Sequence, residues 1–264
     1  MTLRELHLFA GIGGGILGGL LLGHRCCGAV EIDPYCRRVL EARQRDGSLP
    51  EFPIHDDIRT FDGASWRGRV DVVCGGFPCQ PWSSAGKRLG TSDPRHLWPA
   101  MARVVAECRP RFVFAENVSV AAFRAPWRDL RGLGYRVPPA LCLSAGDLGA
   151  PYQRKRWWLL AADADRDGQP VEPIDAQVAR TCSPSHADGA GLAQWQGERG
   201  DARPQLTSFD GATWRAPAPR LMRLVSRTAN RLDARHRIRA AGNAQVPQVA
   251  AAAFRELSLR MGGV

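Results

Sequence analysis

An open α/β sheet in one large domain is the fold that this sequence predicts, and three observations predict it. Short apolar runs recur between helix-like segments through the first 162 residues, at residues 5–9, 26–32, 70–74, 111–115 and 157–162, and they read as buried strands. Two of these runs stop at glycine: residues 5–9 run into Ala10-Gly11-Ile12-Gly13-Gly14-Gly15, and residues 70–74 into Gly75-Gly76-Phe77-Pro78. Such turns throw the following side chains out at the carboxyl edge of the sheet, where open α/β folds place their chemistry. With 264 residues, 44% of them hydrophobic, the chain can bury a full core.

Each element follows from local chemistry. After the first strand, the glycines allow a tight turn and a close approach of backbone to a ligand, and an apolar helix continues to about Leu22. The strand at 26–32 ends in Glu31-Ile32-Asp33-Pro34. An acidic residue there is placed to accept hydrogen bonds from ribose hydroxyls, while Asp33 caps a helix over 35–45 with Pro34 at its first position. His55-Asp56-Asp57-Ile58 follows a proline-bounded loop. The strand at 70–74 presents Cys79, alone among eight cysteines in being displayed by such a turn. Residues 83–90 are small and basic, and Lys87 and Arg88 suit phosphate contacts or a solvated loop equally. A helix over 93–108 turns Leu97, Met101, Val104 and Val105 to one face, and the strand at 111–115 delivers Glu116-Asn117-Val118. Asp147 to Arg156 leads into the strand at 157–162. From 163 to 237 Gly, Pro, Ser, Gln, Asp and Arg dominate and strand periodicity is lost, with Trp195 and Trp214 scattered through it. The end reads Ala241-Gly242-Asn243-Ala244-Gln245-Val246-Pro247, a Gly-Asn loop before an Ala-rich helix reaching about Met261.

Composition narrows the function classes. Thirty-six Lys and Arg against 26 Asp and Glu give +10, which favours a polyanionic partner, although a GC-rich genome would also enrich arginine. Only Lys87 and Lys155 are lysines, and arginine is the better residue for bidentate contact with phosphate or guanine. Arg223, Arg227, Arg231, Arg235, Arg237 and Arg239 form a basic stretch that fits a phosphate backbone or a solvated surface. No apolar stretch is long enough to cross a bilayer, so no membrane association is expected. The cysteine spacing suits reduced thiols in a cytosolic setting, and no Cys-x-x-Cys pair or His cluster suggests a metal.

Taken together, Leu8-Phe9-Ala10-Gly11-Ile12-Gly13-Gly14, Asp57-Ile58, Pro78-Cys79-Gln80, Glu116-Asn117-Val118, Tyr152-Gln153-Arg154-Lys155-Arg156 and Gly242-Asn243-Ala244-Gln245-Val246-Pro247 resemble, in order, the blocks of the DNA cytosine-5 methyltransferases of small bacterial or phage type. The resemblance implies a Rossmann-like class I S-adenosylmethionine-dependent methyltransferase sheet with a small target-recognition lobe. It implies S-adenosyl-L-methionine as cofactor, bound by Phe9 on the adenine ring, Gly11, Gly13, Gly14, Glu31, Ile32, Asp57 at the adenine amino group, Ile58, Pro78, Leu97, Asn243 and Val246. Asp56 competes with Asp57 for its role, and ordinary core packing competes for Phe9 and Leu97. The catalytic residues implied are Cys79 as nucleophile, Glu116 as acid, Arg156 on the cytosine carbonyl oxygen and Arg154 as its buttress. Tyr152 stands where the family usually has glutamine.

The implied organisation is a catalytic domain over 1–162, a short target-recognition region over 163–237, and a C-terminal motif and helix over 238–264. The implied reaction is methylation of a flipped-out cytosine in double-stranded DNA, by a monomer in the cytoplasm of a bacterial or phage-infected cell, alongside a cognate restriction nuclease. An RNA cytosine methyltransferase on the same scaffold and a catalytically silent DNA-binding relative are the alternatives.

Overall fold

The computed structural model describes residues 2–78, 97–166 and 231–262, the side chains of 231–235 aside. Five strands, β1 (Arg4–Leu8), β2 (Arg25–Val30), β3 (Ile54–His55), β4 (Val72–Gly75) and β5 (Phe112–Asn117), pair in parallel. Between and after them run the helices α1 (Gly14–Leu21), α2 (Pro34–Arg45), α3 (Trp98–Cys108) and α4 (Arg124–Gly132). Two short edge strands, β6 (Tyr135–Arg136) and β7 (Leu141–Leu143), and the long β8 (Arg156–Asp163) complete an eight-stranded sheet, and two helices follow, α5 (Arg231–Asn243) and α6 (Pro247–Arg260). The strand order is β3-β2-β1-β4-β5-β8-β6, with β7 also on β8.

That order decides where a ligand can sit. The chain builds outward from β1 to β3, then returns to add β4 and β5 on the other side, so the connections diverge between β1 and β4 and leave a crevice at their carboxyl ends. Because β8 runs antiparallel to β5, pairing Glu116 with Trp158 and Asn117 with Trp157, its amino end lies at that same edge. Arg156 reaches the crevice from the start of a strand, whereas Glu116 reaches it from the end of one.

Alternation along the strands sends side chains to two cores. Leu6, Leu8, Val73, Val113, Ala115, Leu159 and Ala161 pack with Trp98, Met101, Val104 and Val105 of α3. Val72, Cys74, Phe112, Phe114, Trp158 and Leu160 face Val249, Ala253, Phe254 and Leu257 of α6. Each such Leu, Val or Phe contributes about 1.5 to 3 kcal/mol by leaving water. α2 begins as expected, with Asp33 Oδ1 accepting from the Tyr35 backbone N–H at 2.8 Å and Pro34 in the first turn. No helix among the described residues is long and apolar enough to cross a membrane, and none of the six described cysteines is in a disulfide.

The structure differs from the sequence reading at three places. β3, β6 and β7 are absent from that reading because two or three residues carry no periodicity. Pro138 and Pro139, which cannot donate to a ladder, lie between β6 and β7, and the pairing with β8 slips by one residue across them. Gly242 and Asn243, expected in a loop, close the last turn of α5, whose Ala240 packs on Ile12 and Cys36. α5 therefore runs through the expected boundary at 237/238.

Candidate active site

At the β1 turn, Phe9 and Gly11 both have φ +55° and Gly13 has φ +87°, so the chain coils back before α1 begins. Glu31 ties this turn to the end of β2. Its Oε2 accepts from the Gly11 N–H at 2.6 Å and its Oε1 from the Asp33 N–H at 2.8 Å. Burial pushes the Glu31 carboxyl up, and the two backbone donors oppose that shift. Arg43, buried beneath the turn, donates to the Ile12 carbonyl. Arg37 Nη1 donates to the carbonyls of Glu31 and Ile32, leaving the Ile32 side chain half-exposed beside the ribose-type acceptor. Ile58 is buried, whereas the Asp57 carboxylate is gripped by its neighbour Arg59 at 2.7 Å. Hydrogen bonds from Arg59 hold that carboxyl below its ordinary range.

Across the crevice stand Glu116 and Asn117. Asn117 Nδ2 donates to the Phe77 carbonyl at 3.0 Å, pinning the turn that leads to Pro78. Arg156 Nε meets Glu116 Oε1 at 2.9 Å, and Gln245 hydrogen-bonds to the same carboxyl group. Burial raises the Glu116 pKa, and Arg156, Arg154 and Gln245 pull against it without reversing the direction. Arg154 turns elsewhere: its Nη2 donates to the carbonyls of Gly242 at 2.6 Å and Ala244 at 2.7 Å, clasping the α5–α6 link. That link presses on α1, since a Cβ at Gly14 would lie 2.1 Å from the Gln245 carbonyl oxygen. Val246 caps α6 and Leu97 stands before α3, both partly buried.

These parts enclose one open cavity, lined among others by His7, Phe9, Gly76, Glu116, Asn243 and Gln245. It brings Phe9 and Gly11, Glu116, and Asn243 together from three distant stretches of chain. Cys79 follows Pro78 directly and lies outside the described residues, as do the loop with Lys87 and Arg88, Trp195, Trp214, Arg223, Arg227 and residues 167–230 generally. The sequence reading missed Gln245, which bridges the last block to Glu116, and a buried network under α1. There Glu5 accepts from His7 Nε2 and His24 Nδ1, each at 2.8 Å, with Cys74 close by. The available signal was Glu5-Leu6-His7, an alternation of polar and apolar residues in a strand otherwise read as apolar throughout.

Comparison with known proteins places this geometry in a lineage. The model of the C-5 cytosine-specific DNA methylase family matches residues 3–190, more than half of the chain. The chain belongs to that family. Among its relatives, it is 34% identical over 168 residues to the Type II methyltransferase M.PspPI of a Psychrobacter species, covering 61% of this chain and 39% of the relative. It is 34% identical over 166 residues to M.HhaI of Haemophilus parahaemolyticus, covering 60% and 48%. The chain thus spans less than half the length of these relatives in the matched region. The fold also appears in solved structures: the S. pombe Dnmt2 methyltransferase superposes with a TM-score of 0.57 at 16% identity, covering 99% of each chain. Spodoptera frugiperda DNMT2 gives 0.51 at 20% identity, covering 66% and 54%. At such identities these two speak for the fold alone, a Rossmann-like class I methyltransferase sheet.

Proposed function

We propose that this chain methylates carbon 5 of cytosine in double-stranded DNA, using S-adenosyl-L-methionine, through a covalent adduct on Cys79. The observation that carries the reading is the buried Glu116 carboxyl group, raised in pKa at the carboxyl end of β5 and paired with Arg156, beside the strand that leads to Cys79. Residues at the cavity fit the cofactor: Phe9 and a glycine turn with positive φ line it, and the ribose-type acceptor Glu31 is hydrogen-bonded to that turn through the Gly11 N–H.

The target base must leave the duplex, because carbons 5 and 6 are unreachable inside the stack. Cys79 adds to carbon 6 as a thiolate while Glu116 delivers its proton to ring nitrogen 3, so the electron pair of the 5,6 double bond becomes available at carbon 5. Arg156 faces the carbonyl oxygen and steadies the charge that gathers there. The cofactor, when bound, supplies an electrophilic methyl group on a sulfonium. After transfer, the carbon 5 proton leaves to a base, the double bond re-forms, the Cys79–carbon 6 bond breaks and nitrogen 3 returns its proton. Arg154 holds the α5–α6 link, with Asn243 and Val246, closed over the site. Residues 163–237 supply target recognition, the protein acts as a monomer in the bacterial or phage-infected cytoplasm, and a cognate restriction nuclease is its genetic partner. Tritiated methyl donor mixed with duplex DNA and separately with RNA tests the polymer: label recovered as 5-methylcytosine from DNA supports the reading, and label recovered from RNA alone contradicts it.

A further inference from the structure

β1 and β4 set three unlike side chains against one another under α1. Glu5 and His7, two residues apart, share a face of β1, and His7 lies opposite Cys74 in the register with β4. All three are buried. Among the described residues they are the one group of three metal-ligating side chains whose ligand atoms all lie within 4.8 Å of one another. No short-range spacing announces them, because the sheet and not the chain brings His7 beside Cys74. The donors of this cluster converge on one carboxyl group: Glu5 Oε2 accepts from His7 Nε2 and Oε1 from His24 Nδ1, each at 2.8 Å, and the Cys74 thiol hydrogen-bonds to the same group.

The helix above leaves room for an occupant. A Cβ on Gly19 of α1 would collide with Glu5 Oε2, and Gly15, Gly18 and Gly19 line a cavity together with Glu5, His7 and Cys74. Its free space of about 10 Å³ admits one particle the size of a water molecule and no organic ligand. Two nitrogen or oxygen ligands on one tetrahedral ion stand roughly 3.3 Å apart, given bonds of about 2.0 to 2.2 Å, so His7 Nε2 and Glu5 Oε2, now at 2.8 Å, need open by only about half an ångström. The donor types then choose the ion. Calcium and magnesium take oxygen ligands, whereas an imidazole, a thiolate and one carboxylate on a single centre suit zinc or cobalt. Charge agrees, because a carboxylate and a thiolate carry two negative charges that one divalent ion neutralises, and the filled site is uncharged where water is excluded.

We propose that Glu5 Oε2, His7 Nε2 and Cys74 Sγ hold one divalent ion of the zinc class, with His24 as a positioning residue that steadies the carboxylate from its other oxygen. On binding, the Cys74 thiol proton leaves to solvent, and His7 Nε2 gives up its hydrogen so that its lone pair meets the ion, the neutral ring keeping its hydrogen on Nδ1. No electrons change hands. The ion ties β1 to β4, the two strands that lead into the glycine turns of the crevice, so its role is structural and stands independently of the methyl-transfer reading.

Cobalt is the probe, because Co²⁺ accepts the zinc geometry and a sulfur ligand gives it a charge-transfer band in the near ultraviolet. The full chain carrying Cys79→Ala, which removes the proposed nucleophile as a competing thiolate, is expressed in cobalt-supplemented medium, and its metal content and spectrum are measured. The expected result is one cobalt per chain with the sulfur band. In that background Cys74→Ser, which keeps a hydroxyl donor for Glu5, should remove the band. His24→Leu should keep the band and weaken cobalt affinity by about tenfold to a hundredfold, the usual cost of losing the partner of a metal ligand. Cys26→Ser, a buried cysteine on β2, should change neither. A folded chain free of cobalt, or a sulfur band that survives Cys74→Ser, would overturn the site, and unaltered affinity in His24→Leu would overturn the part given to His24. The parent chain decides the matter even where a variant fails to fold, since its own metal content and band either appear or do not.

Discussion

The proposed mechanism requires Glu116 to hold a proton at the pH of the cell, and its surroundings pull in two directions. Burial favours the neutral form, and Arg156 at 2.9 Å favours the charged one. The net shift is upward from 4.5, so the native protein holds this proton over a window in which the unfolded chain has lost it. In that window the contribution of Glu116 to stability falls as pH rises, and protonation of ring nitrogen 3 falls with it. Glu116→Gln should reduce methyl transfer by about 10²- to 10⁴-fold and flatten the alkaline limb of the rate profile. A variant that keeps that limb at reduced amplitude would assign the titration to another group. Among single residues, Cys79, Glu116 and Arg156 are visible in the sequence because Glu116 and Arg156 flank apolar runs and Cys79 follows the glycine turn that ends one. His7 and Gln245 are not: one hides in a strand that reads as core, and the other takes its meaning from Glu116, some 129 positions earlier, which only the fold brings near.

Elements show the same division. The buried strands β4, β5 and β8 announce themselves by apolar runs bounded by glycine, proline or charge, and the Asp33-Pro34 start of α2 follows from capping chemistry alone. The two-residue strands β3 and β6 owe their place to hydrogen bonds with β2 and β8 rather than to their own composition. The end of α5 is also a tertiary matter. Gly242 would ordinarily stop a helix, and here its carbonyl and that of Ala244 are taken by Arg154 from a segment 88 and 90 residues away. Arg154→Ala should therefore loosen the α5–α6 link locally, lowering the opening free energy of residues 243–250 by about 1.5 to 3 kcal/mol. Hydrogen exchange is the readout, with amides of β4 and β5 as the internal control. Equal loss of protection across β4, β5 and α6 would show that Arg154 supports the whole fold instead.

The described residues form a parallel sheet with one reversed strand, and that reversal brings the proposed acid and its arginine partner face to face: β5 ends where β8 begins, so Glu116 and Arg156 meet across an antiparallel pair. The crevice between β1 and β4 lies alongside, and the chain uses its carboxyl ends for the glycine turn on one side and the approach to Cys79 on the other. A net charge of +10 suits a nucleic-acid substrate. Family membership and the sheet are legible from ordered sequence blocks, whereas residues 163–237 carry no strand periodicity from which the proposed role in recognition could be read. The central claim is that Cys79 forms a bond to carbon 6 of cytosine before the methyl group moves, and replacing the carbon 5 hydrogen with fluorine isolates that step. Fluorine cannot leave as a cation, so the final elimination stops and the enzyme stays joined to its substrate. Incubation with 5-fluorocytosine duplex DNA and S-adenosyl-L-methionine, followed by denaturing electrophoresis, should give a stable protein–DNA adduct that Cys79→Ala abolishes. An adduct that persists in Cys79→Ala, or none with the wild-type protein, would contradict the account.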